Sequence, residues 1–556
     1  MDDVRAVLAG ERKWAVVCGD AVVWMMRLAW EFGPFAHATL CDPPYHLTSV
    51  SRGGSPRDND EGTPFGRTRL GSKGFMGKTW DGGDVAHRVE TWRAALMCSL
   101  PGAHLVAASG TRTYHRLAVA AEDAGWDVRE MLGWLCAQGM AKTGDVSKRI
   151  DKMHGATREV VGKHPNPARN GKTGTAALGG GWGDVNDVFI TAPATDDARQ
   201  WEGWSESLAP SMEPMLLARK PFRGSTAANL LTHGCGALNI DAGRIAGTAQ
   251  SGAGATGFGD GREDGYQLGT GRVYQTEGRW PKTIALVHNE GCRRVGTKRV
   301  TAGTAVNRNR DPEASNSWFG QRAPQTGEDQ GYADENGEEI VDAWECDPSC
   351  AVAHLDAMAP DAMHRAGNRG GTSRGSMGYA GGATGDTMPR GYDDASVNVA
   401  RFFFQAKASS SERWMLVTCG CGRRPMRRTA AKHLTERKDK TTFCTLCKQP
   451  ARIVQHATVK PLDLDRWLAR LVCVPGGVTL VPFCGSGSEM IAALEAGSRV
   501  IGFELESDHA DIAVARLTAW EQGDRDDHDD PAAAVEALKP EGPRQRSLFD
   551  VMGGSR

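Results

Sequence analysis

The 556-residue chain contains no run of 18 or more apolar residues, so no segment is expected to span a membrane. Its start, MDDVRAVLAGERKW, lacks the basic-then-apolar order of a secretion signal, and a cytoplasmic location is expected. No strict internal repeat is present, which excludes a repeat array. No charge of one sign dominates: the formal net charge is −2, which neither demands nor excludes a polyanionic partner, because a local basic patch suffices for binding. With 40% hydrophobic and 24% charged residues, most of the chain should fold into two to four soluble domains. Its 14 cysteines, in a chain expected to be intracellular, point to metal rather than disulfides wherever they are paired closely.

The first part alternates strand-like and helix-like segments. KWAVVCGD (13–20) reads as a strand ending on Gly19-Asp20, and AVVWMMRLAWEF (21–32) is apolar on a helical period. AHATLCDPPY (36–45) is a second buried strand. VETWRAALMCSL (89–100) reads as a helix, GAHLVAASG (102–110) as a strand and YHRLAVAAEDAG (114–125) as a helix closed by glycine. This order predicts an α/β fold, a parallel sheet covered by helices. Between about 245 and 395 the chain becomes rich in Gly, Ser and Thr and reads as long loops. The α/β pattern returns near the end: strand 476–483, glycine turn CGSGS, helix 489–497, strand 499–505, then helix 507–520 capped by Ser507 or Asp508.

Strand, glycine turn, helix, strand and acid form a nucleotide-binding arrangement. Gly485 and Gly487 let the backbone turn tightly and approach a ligand with no side chain in the way. Glu504 closes the second strand, where a carboxylate can accept two ribose hydroxyl hydrogen bonds. It lies 17 residues after Gly487, close to the roughly 20 of a dinucleotide fold. Taken alone, the plain alternative is a helix–strand turn with a surface glutamate.

The DPPY element, Asp42-Pro43-Pro44-Tyr45, follows a buried strand, and PFCGSGS with VIGFELESDHADIAVARL lies far downstream. Together they resemble the β class of amino-methylating DNA methyltransferases that use S-adenosylmethionine, and look most like members found in phages and prophages. Other stretches fit the same family, among them GKTWDGG (77–83), SLAPSMEPMLLARKPF (207–222), RFFFQAKASSSER (401–413) and HATVKPLDLDRWLARLV (456–472). The resemblance implies a Rossmann-like methyltransferase sheet, circularly permuted, in which the strand of the glycine turn neighbours the strand of DPPY. It also implies that the strand ending at Asp20 lies beyond the one ending at Glu504. It places Asp20 near the cofactor's adenine, Phe483, Gly485, Gly487 and Glu504 around the cofactor, and Thr458 and Lys460 near its methionine portion. The chain departs from the family at Val481, where an aspartate is usual, and at Ser488-Glu489, where two threonines are common. Glu489 is the candidate replacement for the missing carboxylate.

The residues suit that chemistry on physical grounds. An exocyclic amine is a poor nucleophile because its lone pair is delocalised into the ring. Asp42 and the Pro43 carbonyl can each accept one amine hydrogen, which frees the lone pair for in-line attack on a sulfonium methyl. Pro43 and Pro44 stiffen the turn, and Tyr45 offers a face to a base rotated out of the duplex. DPPY in the family favours adenine. Cytosine amine methylation is the nearest rival, a decayed DNA-binding module a rival of another class, and RNA methylation a third.

Cys419, Cys421, Cys444 and Cys447 form a CxC…CxxC pattern that suits a structural zinc. The block 419–452 holds ten Lys or Arg residues against two acids, basic enough to contact phosphates. His288 or Cys292, with Cys346 and Cys350, offers a second zinc set more loosely. Cys18, Cys41, Cys98, Cys136, Cys235, Cys473 and Cys484 read as small core residues. The expected organisation is a catalytic half at 1–152, an inserted recognition region at 153–400, and a linker with a zinc-ribbon-like insert at 401–455. A cofactor-binding half at 456–520 and an acidic tail at 521–556 complete it. Double-stranded DNA is the implied partner. A homodimer and a restriction endonuclease on a separate chain are compatible with this reading, since no nuclease motif is apparent.

Overall fold

A computed structural model describes residues 1–46, 81, 83–135, 145–163, 189–206, 208, 211–245, 250–251, 275–276, 279–289, 291–301, 338–348, 350–358, 400, 403–407, 412–436, 441–456 and 459–523. Its centre is a nine-stranded sheet. In chain order the strands are β1 (Trp14–Cys18), β2 (Ala36–Cys41), β3 (Ser99–Ala108), β4 (Asp127–Leu135), β5 (Met212–Arg219), β6 (Ile284–His288), β7 (Phe404–Lys407), β8 (Val478–Val481) and β9 (Arg499–Glu504). Across the sheet they run β1-β9-β8-β2-β3-β5-β4-β6-β7. All neighbours are parallel except β5, which is antiparallel to both β3 and β4. The strands read at 13–20, 36–41 and 102–110 lie in the parallel part of the sheet; β5 is not among the strands read from the sequence, and a buried apolar strand does not state its polarity in its residues. The stretch 153–400 supplies two strands of this sheet, β5 and β6.

Both faces are covered. Helices α1 (Asp2–Ala9), α2 (Ala21–Phe32), α3 (Val89–Cys98) and α4 (Tyr114–Asp123) bury one face, with Met25, Leu28, Trp92 and Leu117 packed on Leu105, Leu480 and Phe503. Helices α5 (Leu462–Val472), α6 (Ser488–Glu495) and α7 (Ser507–Glu521) bury the other, with Trp467, Ile491 and Leu517 against Leu40, Val106 and Val500. Double burial explains why these strands are continuous apolar runs rather than alternating ones.

The local signals place most element ends. Asp20 caps α2 by accepting from the Val22 and Val23 amides, and Gly33 ends it at φ 68°. Two expectations are corrected. The helix expected over 89–100 stops at Cys98, and β3 already begins at Ser99, because Pro101 disfavours helical backbone in the residue before it. Helix α7 is capped by neither Ser507 nor Asp508: its N-cap is Glu506, and the Asp508 carboxylate is held by arginines instead.

Smaller units flank the sheet. One is an antiparallel pair, Arg293–Thr301 with Glu338–Glu345. Another is a three-stranded sheet ordered Gly422–Arg427, Trp414–Cys419, Arg452–Gln455. A short sheet of Leu434–Glu436, Thr442–Cys444 and Gln449–Pro450 lies within the same stretch. The glycine-rich stretches 252–265 and 367–386, Cys136, Thr458 and the tail beyond 523 lie outside the described residues. Among the described residues no helix is long and apolar enough to cross a membrane.

Candidate active site and metal centres

The sheet order brings the carboxyl ends of β2 and β8 side by side. Asp42 follows β2 directly, and the turn Pro482–Gly487 follows β8. Both enter one cleft, whose wall includes Asp42, His456, Lys460, Phe483, Gly485 and Glu489. Sites at such a position, beyond the carboxyl ends of adjacent parallel strands, are usual in open α/β sheets.

Lys460 organises the DPPY side. Its Nζ lies 2.8 Å from Asp42 Oδ2, donates to the Tyr45 hydroxyl at 2.7 Å and lies 3.4 Å from Glu213 Oε2. The Tyr45 hydroxyl donates in turn to Glu213 Oε2 at 2.9 Å. Burial alone would lower the Lys460 pKa; the charges of Asp42 and Glu213 more than offset it and raise it, so the ammonium is kept. The Tyr45 hydroxyl is held protonated by burial and by the same two carboxylates. Asp42 Oδ1 is buried and has no hydrogen-bond partner among the described residues. One oxygen of Asp42 is therefore anchored, and the other is a buried acceptor without a hydrogen-bond partner among the described residues. Next along, His46 sits at φ 51°, with its amide donating to Asp81 Oδ1 at 2.8 Å. The Ala86 amide donates to its Nε2 at 3.1 Å, so its Nδ1 carries the proton toward the Asp81 carbonyl.

The glycine turn is built as its sequence suggests. Phe483, Gly485 and Gly487 all have positive φ, at 62°, 50° and 85°. A Cβ on Gly485 would stand 2.9 Å from His456 Nε2, so the close approach needs glycine. Buried Arg516 of α7 ties the turn from behind, donating to Ser488 Oγ at 2.7 Å and Ser486 Oγ at 3.4 Å. Each oxygen of Glu504 already accepts one backbone N–H, from Gly485 at 2.9 Å and Glu506 at 3.0 Å. One lone pair per oxygen remains for a ligand hydroxyl. Burial works against its charge, but the His509 contact and the Glu506 amide win and hold its pKa below the usual value. Asp20 lies at the end of β1, beside β9, with one oxygen engaged in capping α2.

Val481 is fully buried on the α5–α7 face and does not line the cleft. Glu489 does line it, and burial, followed by the Asp42 charge, raises its pKa to about 7. Beside it in charge, Asp465 of α5 is buried, with no partner for either oxygen among the described residues, and is pushed well up by burial and then by Glu489. The carboxylates that line the cleft are Asp42, paired with Lys460, and Glu489.

Two sulfur-rich clusters stand apart from the cleft. Within each set, one ligand atom per residue lies within 4.8 Å of all the others: Cys419, Cys421, Cys444, Cys447, and His288, Cys292, Cys346, Cys350. The sequence offered His288 or Cys292 for the second set; the fold brings both. Tetrahedral bonds of about 2.3 Å to sulfur and about 2.0 Å to nitrogen put S···S edges near ~3.8 Å and N···S edges near ~3.5 Å. Cys421 and Cys444 sulfurs are 3.9 Å apart, and His288 Nδ1 is 3.5 Å from both Cys346 and Cys350. The tautomer also fits. The Gln405 amide donates its NH₂ to the Ala400 carbonyl at 2.9 Å, so its oxygen faces His288 Nε2 at 2.8 Å. Nε2 then carries the proton and Nδ1 offers its lone pair to a metal. Of the cysteines expected in the core, Cys41, Cys98, Cys235, Cys473 and Cys484 are buried, whereas Cys18 is exposed.

Sequence reasoning singled out neither Glu213, His456 nor Gln405. Glu213 stands before Pro214 at the head of an apolar strand, and His456 opens HATVKP; an acid or imidazole at a strand end was the available signal.

A family model described as DNA methylase, N6_N4_Mtase, matches residues 302–515, a span that holds the Cys419 cluster, Lys460, the glycine turn and Glu504. YubD of Escherichia coli (strain K12), named as a putative methylase, is 39% identical over 64 residues, 12% of this chain and 28% of YubD. The chain thus spans little more than a quarter of that relative's length. Among solved structures, M1.HpyAVI aligns with 91% of this chain and 98% of its own at 8% identity and a TM-score of 0.30. TTHA0409 of Thermus thermophilus aligns with 91% and 95% at 12% identity and 0.29. The PvuII DNA methyltransferase (cytosine-N4-specific) aligns with 91% and 86% at 8% identity and 0.31. Likeness at this level carries no argument about this chain, and the weight rests on the family match, which supports a DNA methylase of the N6/N4 type.

Proposed function

We propose that the protein is an S-adenosylmethionine-dependent DNA methyltransferase that modifies the exocyclic amine of adenine at specific sites in double-stranded DNA. The observation that carries the reading is Asp42: one oxygen is fixed by Lys460, the other is an acceptor without a partner among the described residues, and the residue lines the same cleft as the glycine turn. Asp42 Oδ1 and the Pro43 carbonyl accept the two hydrogens of the target amine and orient its lone pair. The Tyr45 ring, pinned by its hydroxyl, offers an aromatic face to a base turned out of the duplex. Glu504 receives ribose hydroxyls, Gly485 and Gly487 admit the nucleoside, and Asp20 faces its base. Glu489 and the anionic side of the cleft face the positively charged end of the cofactor. S-adenosylmethionine, when bound, supplies the electrophilic methyl group.

DPPY preceding the glycine turn in the chain supports a permuted, β-class order, and the stretch 153–400 is proposed to read the target sequence. Each sulfur-rich cluster is proposed to hold one structural zinc, on the strength of ligand spacing and of the His288 tautomer. The test is incubation with S-adenosylmethionine and duplex DNA, followed by mass spectrometry of the nucleosides. N6-methyladenine is the expected product. N4-methylcytosine would shift the assignment to cytosine, and DNA binding without methyl transfer would make the chain a non-catalytic module.

A further inference from the structure

The Cys419 cluster and the cleft are joined by one strand. Cys419 ends the strand Trp414–Cys419, which pairs on both sides, with Gly422–Arg427 and with Arg452–Gln455. This three-stranded sheet is seated on α7. Arg423 and Arg452 hold Asp508 at 2.7 and 3.0 Å, Arg423 also pairs with Asp511, and Trp414 and Leu416 pack on Ile512. Two of the basic residues expected to face phosphate are therefore engaged within the protein. The strand Arg452–Gln455 runs straight into His456, the next residue, whose ring stands over Gly485 and lines the cleft. The His456 ring also meets His509 edge-on at 4.9 Å, and His509 Nδ1 lies 3.8 Å from Glu504 Oε1.

We propose that the metal-bound Cys419/Cys421/Cys444/Cys447 ribbon shapes the cofactor cleft: it clamps the strand that delivers His456 against Gly485, so metal at the cluster raises affinity for the cofactor without touching it. The ribbon is otherwise short of internal support. Its buried side chains against α7 are Trp414 and Leu416, on Ile512, and a bound metal would cross-link Cys419 and Cys421 to Cys444 and Cys447 across two small sheets. Without that metal the end of the strand loses its anchor, and the imidazole wall over the glycine turn goes with it. His456 is a positioning residue for the turn and a wall of the cleft. The identity of the ligand rests on the function proposed above; the mechanical link does not.

The experiment uses the full chain as purified with zinc, and two readouts. The first is hydrogen exchange of the turn 483–489 with no ligand present. The second is calorimetric affinity for S-adenosylmethionine. Cys421→Ser, which removes one ligand, is expected to speed exchange of the turn at least fivefold and weaken cofactor affinity at least tenfold. His456→Ala is expected to weaken affinity similarly with zinc content unchanged. If Cys421→Ser disturbs folding, the pair Arg423→Ala with Arg452→Ala releases the ribbon from α7 while retaining all four thiols, and the same two changes are expected. Wild-type exchange of the turn in variants that have lost zinc or the arginine contacts overturns the proposal. Should the wild-type chain bind no S-adenosylmethionine, the proposed function fails, and the exchange readout still decides the link.

Discussion

Lys460 Nζ and Asp42 Oδ2 are 2.8 Å apart, with side chains 7% and 16% exposed, although they come from opposite ends of the chain. The pair closes the two halves of the sheet over one cleft. Removing one member of a buried pair leaves the other uncompensated, at a cost of about 3–5 kcal/mol. Lys460→Met is therefore expected to lower the urea midpoint substantially, with an unchanged denaturant slope. Lys460→Arg is expected to recover little, because a compact ammonium meets Asp42, Tyr45 and Glu213 around one point and a planar guanidinium does not.

Asp42→Asn separates binding from chemistry. The substitution keeps the shape of the side chain but removes the charge that draws on an amine hydrogen. Methyl transfer is expected to fall at least 100-fold, about 3 kcal/mol, with affinity for S-adenosylmethionine within about threefold of wild type. A variant that loses both equally would place Asp42 in cofactor binding and remove it from the transfer step.

Much of the sheet is legible in the sequence, for a physical reason. A strand buried on both faces must be apolar throughout, as AHATL and VTLV are, and a helix packed on it must be apolar on one side, as AVVWMMRLAWEF is. Asp20 and Gly33 mark the ends of α2 because capping chemistry is local. The reversed direction of β5 was not legible, since hydrogen-bond polarity leaves no trace in the side chains of a buried strand. Glu213 illustrates the other limit: its role arises only when β5 is laid beside β4 and its carboxylate meets Tyr45 and Lys460. That Cys419, Cys421, Cys444 and Cys447 come together was legible from two pairs close in sequence, whereas the approach of both His288 and Cys292 to Cys346 and Cys350 required the fold.

Gly485→Ala tests the close approach of backbone and cleft. Gly485 has φ 50°, and an added Cβ would stand 2.9 Å from His456 Nε2. The ring must move or the turn must open. S-adenosylmethionine affinity is expected to drop at least tenfold, while thermal stability falls by only about 1–2 kcal/mol, the order of cost for a non-glycine residue held in left-handed backbone. An unchanged affinity would show that the turn does not bound the ligand.

Glu489 gives the unliganded protein a pH dependence whose sign is fixed. Its pKa is raised from 4.5 to about 7, by burial first and by Asp42 next. The folded state therefore holds the proton more tightly than the unfolded chain. The associated stability is fully present below pH ~4.5 and is lost as pH rises through about 7. Glu489→Gln removes the buried charge, so at pH 8 it is expected to stabilise the free protein by about 3 kcal/mol, and at pH 4 to match wild type. Scanning calorimetry at the two pH values checks this. Because the same carboxylate is proposed to face a cation, the variant that gains stability when free should gain less than wild type on adding S-adenosylmethionine.

Metal content provides the most direct check on the two sulfur-rich clusters. Their ligand atoms lie within 4.8 Å of one another, and His288 is held in the tautomer that offers Nδ1. Elemental analysis of the purified chain is expected to return two zinc ions per molecule. Cys421→Ser and Cys346→Ser should each remove one, and the double variant both. The consequences should differ by position. Cys346 and Cys350 meet His288 at the end of β6, which pairs with β7 at the edge of the sheet, so loss there should free that edge and lower the melting temperature. Loss at Cys421 should act on α7 and the glycine turn instead, since the ribbon is seated on Asp508 and Ile512. One zinc ion per molecule, retained in Cys346→Ser, would leave His288 and its three cysteines as a packed polar cluster and nothing more.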